Sequence, residues 1–399
     1  MKLRAIGLIA LLGAGIVASA APDAPQFRQL RRIELSSNFD GGVASHGSVA
    51  SGVASDGTNV YISGWTSGAN QTQGVYRITN LLANLANPSV AISGGSFHTQ
   101  TVARGGSRQT KLEWGNNQLY WGFGMGSDGA SAGETGSASG IKSLSSTGAE
   151  NWYKRPWELL GLSTATGSRR ADAFTVDPAT GKLVVLNFFN TPFGSAVDAN
   201  GNFLTNMTVT GAQSSFRDAA ALSGGRIITK RATTSAVAGA VGLQTRVFDG
   251  TGTLLAPSDV AALPLTSSTN AEEHVEAGEA YNAGWVNSHA YVASSFKNST
   301  PAADGSKISI HGLNPSDFAS YLLDGTENGF ARFGTVSNGA TLQTFLNMQD
   351  VTMGGNRYML VTESFGTRDY LRVYQLVPEP GSALAIGLGA ALMLRRRKK

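Results

Sequence analysis

Residues Gly57–Ser63 read GTNVYIS, a turn of small and amide residues followed at once by Val60, Tyr61 and Ile62. β-Branched and aromatic residues fit a pleated strand, while Gly and Asn relax the chain into a tight turn, so this heptapeptide predicts a hairpin corner feeding a strand. The same pattern returns as NNQLYWG (116–122), GKLVVLN (181–187), GGRIITK (224–230), NSHAYVA (287–293) and GNRYMLV (355–361). The mean step from Gly57 to Gly355 is near 60 residues. Each copy is followed by a second strand-like segment: GVYRIT (74–79), GIKSLS (140–145), SAVDANG (195–201), RVFDGTG (246–252), KISIHG (307–312) and YLRVYQL (370–376). Three of these run into a further Ser- or Asp-initiated turn, SSTGAENW, DANGNFL and DGTGTLL. Four short antiparallel strands per unit, repeated six times, predict an all-β fold, a six-bladed β-propeller; a β-helix or paired β-sandwiches are the alternatives. The units lack the Gly-His and Trp-Asp pairs of WD40 repeats.

Composition agrees with an all-β chain. Among 399 residues there are 50 glycines and only 15% charged residues, which suits many tight turns and does not suit a helical protein. There is no cysteine, which excludes a disulfide framework, thiolate metal sites and a cysteine nucleophile. A ring of units must therefore be closed without covalent help. The last unit ends at Leu376 after its third strand, and the N-terminal segment QFRQLRRIELS (26–36) is free to supply the fourth. Such pairing would remove an exposed sheet edge.

Both ends of the chain look like processing segments. Lys2 and Arg4 precede an apolar run from Ala5 to Val17, and Ala18-Ser19-Ala20 offers the small residues that signal peptidase requires, so the mature chain is expected to begin after Ala20. At the other end Pro378-Glu379-Pro380 precedes an apolar run from Gly381 to Leu394 and then Arg395-Arg396-Arg397-Lys398-Lys399. The prolines break any regular element. As a helix the run would be roughly 20 Å long, short of a ~30 Å hydrocarbon core, with the terminal cations held on the cytoplasmic face. This three-part tail resembles the PEP-CTERM sorting signal of Gram-negative bacteria that make exopolysaccharide. The resemblance covers residues 377–399 only and identifies no family for the body (21–376). It implies recognition at Pro378-Glu379-Pro380 by an exosortase, transient contact with the inner membrane, and delivery of the cut protein to the cell envelope or the extracellular space. With both ends set aside, the body holds 24 of the 31 basic residues and 26 of the 27 acidic ones. No basic surplus remains to neutralise phosphates, so nucleic acid is not an expected partner.

When the six units are aligned on their turns, one polar column falls near the start of each innermost strand: Ser51, Thr110, Asp172, Asp218, Asn282 and Asp350. Arg108, Arg170 and Arg217 stand one or two places before three of them. Around a central channel, guanidinium, carboxylate and amide groups would hold a polar, anionic sugar by charge-assisted hydrogen bonds. Alternatively, they line a water-filled channel and satisfy one another. The acidic segment 270–279, with Glu272, Glu273, His274, Glu276 and Glu279, is expected as a loop overhanging the same mouth; it could hold a hard cation, act in acid–base chemistry, or be a solvated loop. Asp198-Ala199-Asn200-Gly201-Asn202 has calcium-loop spacing but no downstream Glu, so Ca2+ is the one cofactor in question and a hairpin turn is the expected structure. Gly129-Ala130-Ser131-Ala132-Gly133 and Gly124-Met125-Gly126-Ser127-Asp128-Gly129 match a nucleophile elbow and a dinucleotide fingerprint by letters, but neither is followed by a helix-forming sequence. The five histidines show no metal-ligand spacing, and no catalytic residue is assigned. Trp65, Trp121, Trp152 and Trp285 are expected between units; Trp157, in KRPWELL, is not assigned to a core. These features predict an exported, noncatalytic propeller that binds polysaccharide or another surface component. The alternatives are a polysaccharide hydrolase or lyase and a purely structural surface protein.

Overall fold

The computed structural model describes residues 26–35, 49–65, 71–102, 111–123, 140–163, 173–187, 192–207, 216–222, 225–231, 245–249, 251, 253, 273–280, 289–296, 307–313, 320–322, 343–365 and 368–377. Its strands are β1 (Gln26–Glu34), β2 (Val49–Ser55), β3 (Val60–Trp65), β4 (Gln71–Ile78), β5 (Gly94–Val102), β6 (Lys111–Gly115), β7 (Gln118–Phe123), β8 (Gly140–Leu144) and β9 (Glu150–Lys154). They continue with β10 (Ala173–Val176), β11 (Leu183–Leu186), β12 (Gly194–Val197), β13 (Phe203–Met207), β14 (Phe216–Leu222), β15 (Arg226–Arg231), β16 (Thr245–Phe248), β17 (Glu273–Ala280) and β18 (His289–Phe296). The last are β19 (Lys307–Leu313), β20 (Ser320–Leu322), β21 (Gln343–Met353), β22 (Asn356–Phe365) and β23 (Arg368–Val377). Among the described residues two short helices, α1 (Leu81–Ala86) and α2 (Pro156–Leu159), interrupt them.

The chain is all-β, and its described strands form antiparallel sheets in simple meander order: β2-β3-β4-β5, β6-β7-β8-β9, β10-β11-β12-β13, the three-stranded β14-β15-β16, and β17-β18-β19-β20. The remaining sheet is β21-β22-β23 with β1 added to its edge. β1 runs antiparallel to β23 from Gln26 opposite Val377 to Glu34 opposite Tyr370. Ile33 and Leu35 then enter the core shared with Leu360, Leu371 and Val373. The ends of the chain thus meet through backbone hydrogen bonds and apolar packing.

Strand alternation sorts the side chains of β3, β7 and β11 between the sheets on either side. On β3, Val60 and Ile62 pack with Val351, Met353, Tyr358 and Leu360 of the β1-β23-β22-β21 sheet, while Tyr61 packs the other way with Leu112, Leu119, Trp121 and Leu144. On β7, Tyr120 turns away from Leu119 and Trp121 to join Phe174, Leu183 and Val185. On β11, Val184 and Leu186 face Phe216, Ala219, Ile227 and Phe248. The first strands also adjoin one another in sequence: β2 by β6, β6 by β10, β10 by β14, β14 by β17, β17 by β21, and β21 by β2. Two glycines permit this approach. A Cβ on Gly52 would lie 2.9 Å from the Leu112 nitrogen, and one on Gly115 would lie 2.7 Å from Val176 Cγ1.

The structure revises several expected boundaries. The segment expected as an acidic loop is largely strand: Glu273–Ala280 is β17, paired residue for residue with β18 from Glu273 opposite Phe296 to Ala280 opposite His289. Ladder pairing here overrides the weak strand propensity of Glu. The first strand of that sheet therefore ends before Asn282 and does not begin there. β12 stops at Val197, because Asp198 turns the chain: its Oδ1 accepts the N–H groups of Asn200 (2.9 Å) and Asn202 (2.8 Å), and its Oδ2 accepts the Asn202 amide (3.0 Å). β16 likewise stops at Phe248, where the Asp249 carboxylate takes the N–H groups of Thr251 and Thr253. KRPWELL contains α2, started by Pro156 and closed by the Glu158 carboxylate on the Arg155 N–H. The fourth strand expected after DGTGTLL lies outside the described residues, as do both letter-matched enzyme motifs, residues 124–133.

Candidate functional site

First strands of two sheets bring three charged residues, Lys111, Glu113 and Asp218, into one buried group, with uncharged partners from a third sheet. Lys111 opens β6, and its side chain reaches past β10 to β14, where Nζ donates to Asp218 Oδ1 at 2.6 Å and to the carbonyl oxygen of Ala219. Lys111 and Asp218 side chains are 7% and 1% exposed. Glu113, two residues on from Lys111 and on the same side of β6, places Oε2 3.7 Å from the ammonium nitrogen. Its Oε1 accepts the Thr175 hydroxyl (2.8 Å) and the Val176 N–H (2.7 Å) of β10. The Phe174 ring centroid stands 5.7 Å from Lys111 Nζ. Burial pushes the Glu113 carboxyl above the usual carboxylate range, against the pull of Lys111 and of the two donors from β10.

A bulge explains how Asp218 comes to face this group. Phe216 pairs with Arg231 and Asp218 with Lys230, so Arg217 is the extra residue. Phe216 remains fully buried between sheets while Asp218 is turned to Lys111, and the Ala219 N–H donates to Asp218 Oδ1 at 2.8 Å.

Asp350 is held differently. On β21 it accepts both its oxygens' hydrogen bonds from Arg357 of β22, Nε lying 2.9 and 2.8 Å away, with Nη2 also on Oδ2. The fork matches the carboxylate plane, a geometry that fixes both side chains. Next to it, Gln349 Oε1 accepts the Ser55 N–H at 3.1 Å and ties β21 to β2.

Of the expected ring, then, Asp218 and Asp350 lie on first strands with cations of the chain on their carboxylates. Ser51, Arg217 and Glu276 lie on first strands β2, β14 and β17. Arg108, Thr110, Arg170, Asp172 and Asn282 lie outside the described residues, as do Ala20, Pro378, Glu379 and Pro380. Lys111 and Glu113 lie outside the polar column expected from the sequence. The signal for them is QTKLEWG, where two opposite charges two residues apart fall on one side of a strand. Among the described residues no group of His, Asp and Glu is arranged to hold a metal ion. Trp121 is fully buried between sheets, Trp152 is half-buried with its indole N–H on the Ala199 carbonyl (2.9 Å), and Trp157 is half-buried on α2. Trp65 lies on β3, and Trp285 lies outside the described residues.

No protein-family model matches the sequence, and no curated protein matches it. Solved structures with a similar course of the chain include a DUF4623 family protein from Bacteroides eggerthii, at 10% identity and a TM-score of 0.46 over 90% of this chain and 78% of that one. The GH74 xyloglucanase from Xanthomonas campestris is similar at 10% identity and a TM-score of 0.42, over 78% of this chain and 44% of that one. The GH43 protein BlXynB from Bacillus licheniformis follows at 10% identity and a TM-score of 0.36, over 70% of this chain and 54% of that one.

Proposed function

We propose that this protein is a six-bladed β-propeller, exported and sorted through its C-terminal tail, that serves the cell envelope as a noncatalytic module binding polysaccharide or another surface component. The cycle of neighbouring first strands, returning from β21 to β2, supports the ring. So does the sorting of alternate side chains to the sheets on either side. The sorting step rests on Pro378-Glu379-Pro380, the short apolar run and the basic end.

One observation carries the noncatalytic part. Asp218 and Asp350, the two ring carboxylates whose side chains are described, each bear a cation of the same chain, and Asp218 is 1% exposed. A glycosidase acid or base must touch the sugar, and a carboxylate enclosed with its own lysine does not. The same observation favours a purely structural surface role as the second reading, since self-neutralised charges need no ligand.

A glycan array probed with residues 21–377, with and without divalent ions, separates the two. Retention of a glycan class without its hydrolysis is the result expected of a binding module. No retention on any glycan would leave the structural role, and release of shortened products would restore the enzyme. Sorting is tested apart from binding: with Pro378, Glu379 and Pro380 replaced by Ala, the tail should stay uncut and the protein should remain in the inner membrane. Normal release of that variant would remove exosortase from the scheme.

A further inference from the structure

The Lys111–Asp218–Glu113 group has the parts of a condensation reaction, whatever the protein binds outside. An amine nitrogen in hydrogen-bond contact with one carboxyl oxygen stands beside the carboxyl carbon, near the ~3–3.5 Å separation from which attack proceeds. Both side chains are withdrawn from water. Reaction requires the neutral amine and the neutral acid, the isomer of the ion pair reached when one proton passes along the 2.6 Å hydrogen bond. Glu113, 3.7 Å from the same nitrogen, is clamped by Thr175 and Val176 and has a proton affinity raised by burial. The Phe174 ring lies 5.7 Å from the nitrogen, an apolar neighbour on the β10 side.

We propose that Lys111 and Asp218 join in an intramolecular isopeptide bond, with Glu113 carrying the proton. The lone pair of the neutral Lys111 Nζ attacks Asp218 Cγ and forms the N–C bond. Glu113 takes a proton from the nitrogen and returns one to a departing hydroxyl of Asp218. The C–O bond breaks, and one water leaves. No oxidant or reductant enters; amine and acid become amide and water. The bond would tie the second sheet to the fourth across 107 residues of a chain without cysteine. Unlike a disulfide it would withstand any reductant.

Trypsin digestion of the denatured full-length protein tests this directly. The cross-linked chain should yield a branched peptide joining residues 109–142 to 218–226, lighter by one water than the two together, because an acylated Lys111 is not cleaved. Linear peptides ending at Lys111 and covering 218–226, recovered from natively folded parent protein, would overturn the proposal. That result needs no variant. Lys111→Arg and Asp218→Ala should give linear peptides alone. Glu113→Gln, which keeps the acceptor for Thr175 and Val176, should slow appearance of the branched peptide by about 100-fold or more. An equal rate in that variant would overturn the part given to Glu113.

Discussion

Asp56 shows how much one turn residue organises. It sits at the corner between β2 and β3, where Oδ1 accepts the N–H groups of Thr58 (2.8 Å) and Asn59 (2.6 Å). Its Oδ2 accepts the Asn59 amide (2.8 Å) and the Tyr61 hydroxyl (2.7 Å). Burial pushes this carboxyl up, but the four donors together outweigh burial and leave it below the usual range. Tyr61, 1% exposed and stacked on Trp114 at 5.6 Å, has its hydroxyl pushed well above the usual phenol value by the same burial and the same partner. A carboxyl with a lowered folded pKa contributes stability that is complete above its ordinary value of 3.8 and is lost as pH falls through the folded value. Asp56→Asn should therefore flatten the acid limb of the melting curve below about pH 4 while leaving the limb above pH 6 unchanged in slope. Asp56→Ala orphans the Tyr61 hydroxyl and should cost about 1–3 kcal/mol, read from chemical denaturation at neutral pH.

At the scale of the element, the β6–β7 hairpin turns on Asn116 and Asn117, with φ of 53° and 57°. Two successive left-handed residues match the right-handed twist of the flanking strands, and Asn tolerates that region better than other side chains. Asn116 is further fixed, since its amide donates to the Tyr120 hydroxyl (2.9 Å) and to the Gly181 carbonyl of the next sheet (2.7 Å). Asn117 is exposed. Asn117→Val should lower stability by ~1–2 kcal/mol through the backbone alone. Asn117→Gly should hold or slightly raise the melting temperature, because glycine meets no steric penalty there.

For the whole molecule, closure depends on β1. Removing residues 21–36 strips Ile33 and Leu35 from the core and leaves the edge of β23 unpaired. The apolar loss alone should be roughly 3–6 kcal/mol for two buried side chains. An exposed edge also invites pairing between molecules. Aggregation, or a large drop in melting temperature, is the expected outcome in light scattering and calorimetry. A truncated protein as stable as its parent would show that β1 contributes no closure.

The sequence by itself determined the six-fold recurrence of turn and strand, the identity of the segment that returns to close the last sheet, and the charge character of the two ends. These are local properties: period-two alternation, turn residues with defined backbone freedom, and short-range charge. NNQLYWG and GKLVVLN became β7 and β11 because nothing in their surroundings opposed their propensities. Tertiary structure decided the rest. Whether Tyr61 or Ile62 faces a given neighbour follows from which sheet lies on which side, and alternation alone does not say. Glu273–Ala280 became a strand because a partner strand completed its hydrogen bonds. Asp218 meets Lys111 because a bulge at Arg217 turns it towards a side chain 107 residues away. Such meetings depend on the three-dimensional course of strands far apart in the chain, and no window of sequence contains both partners.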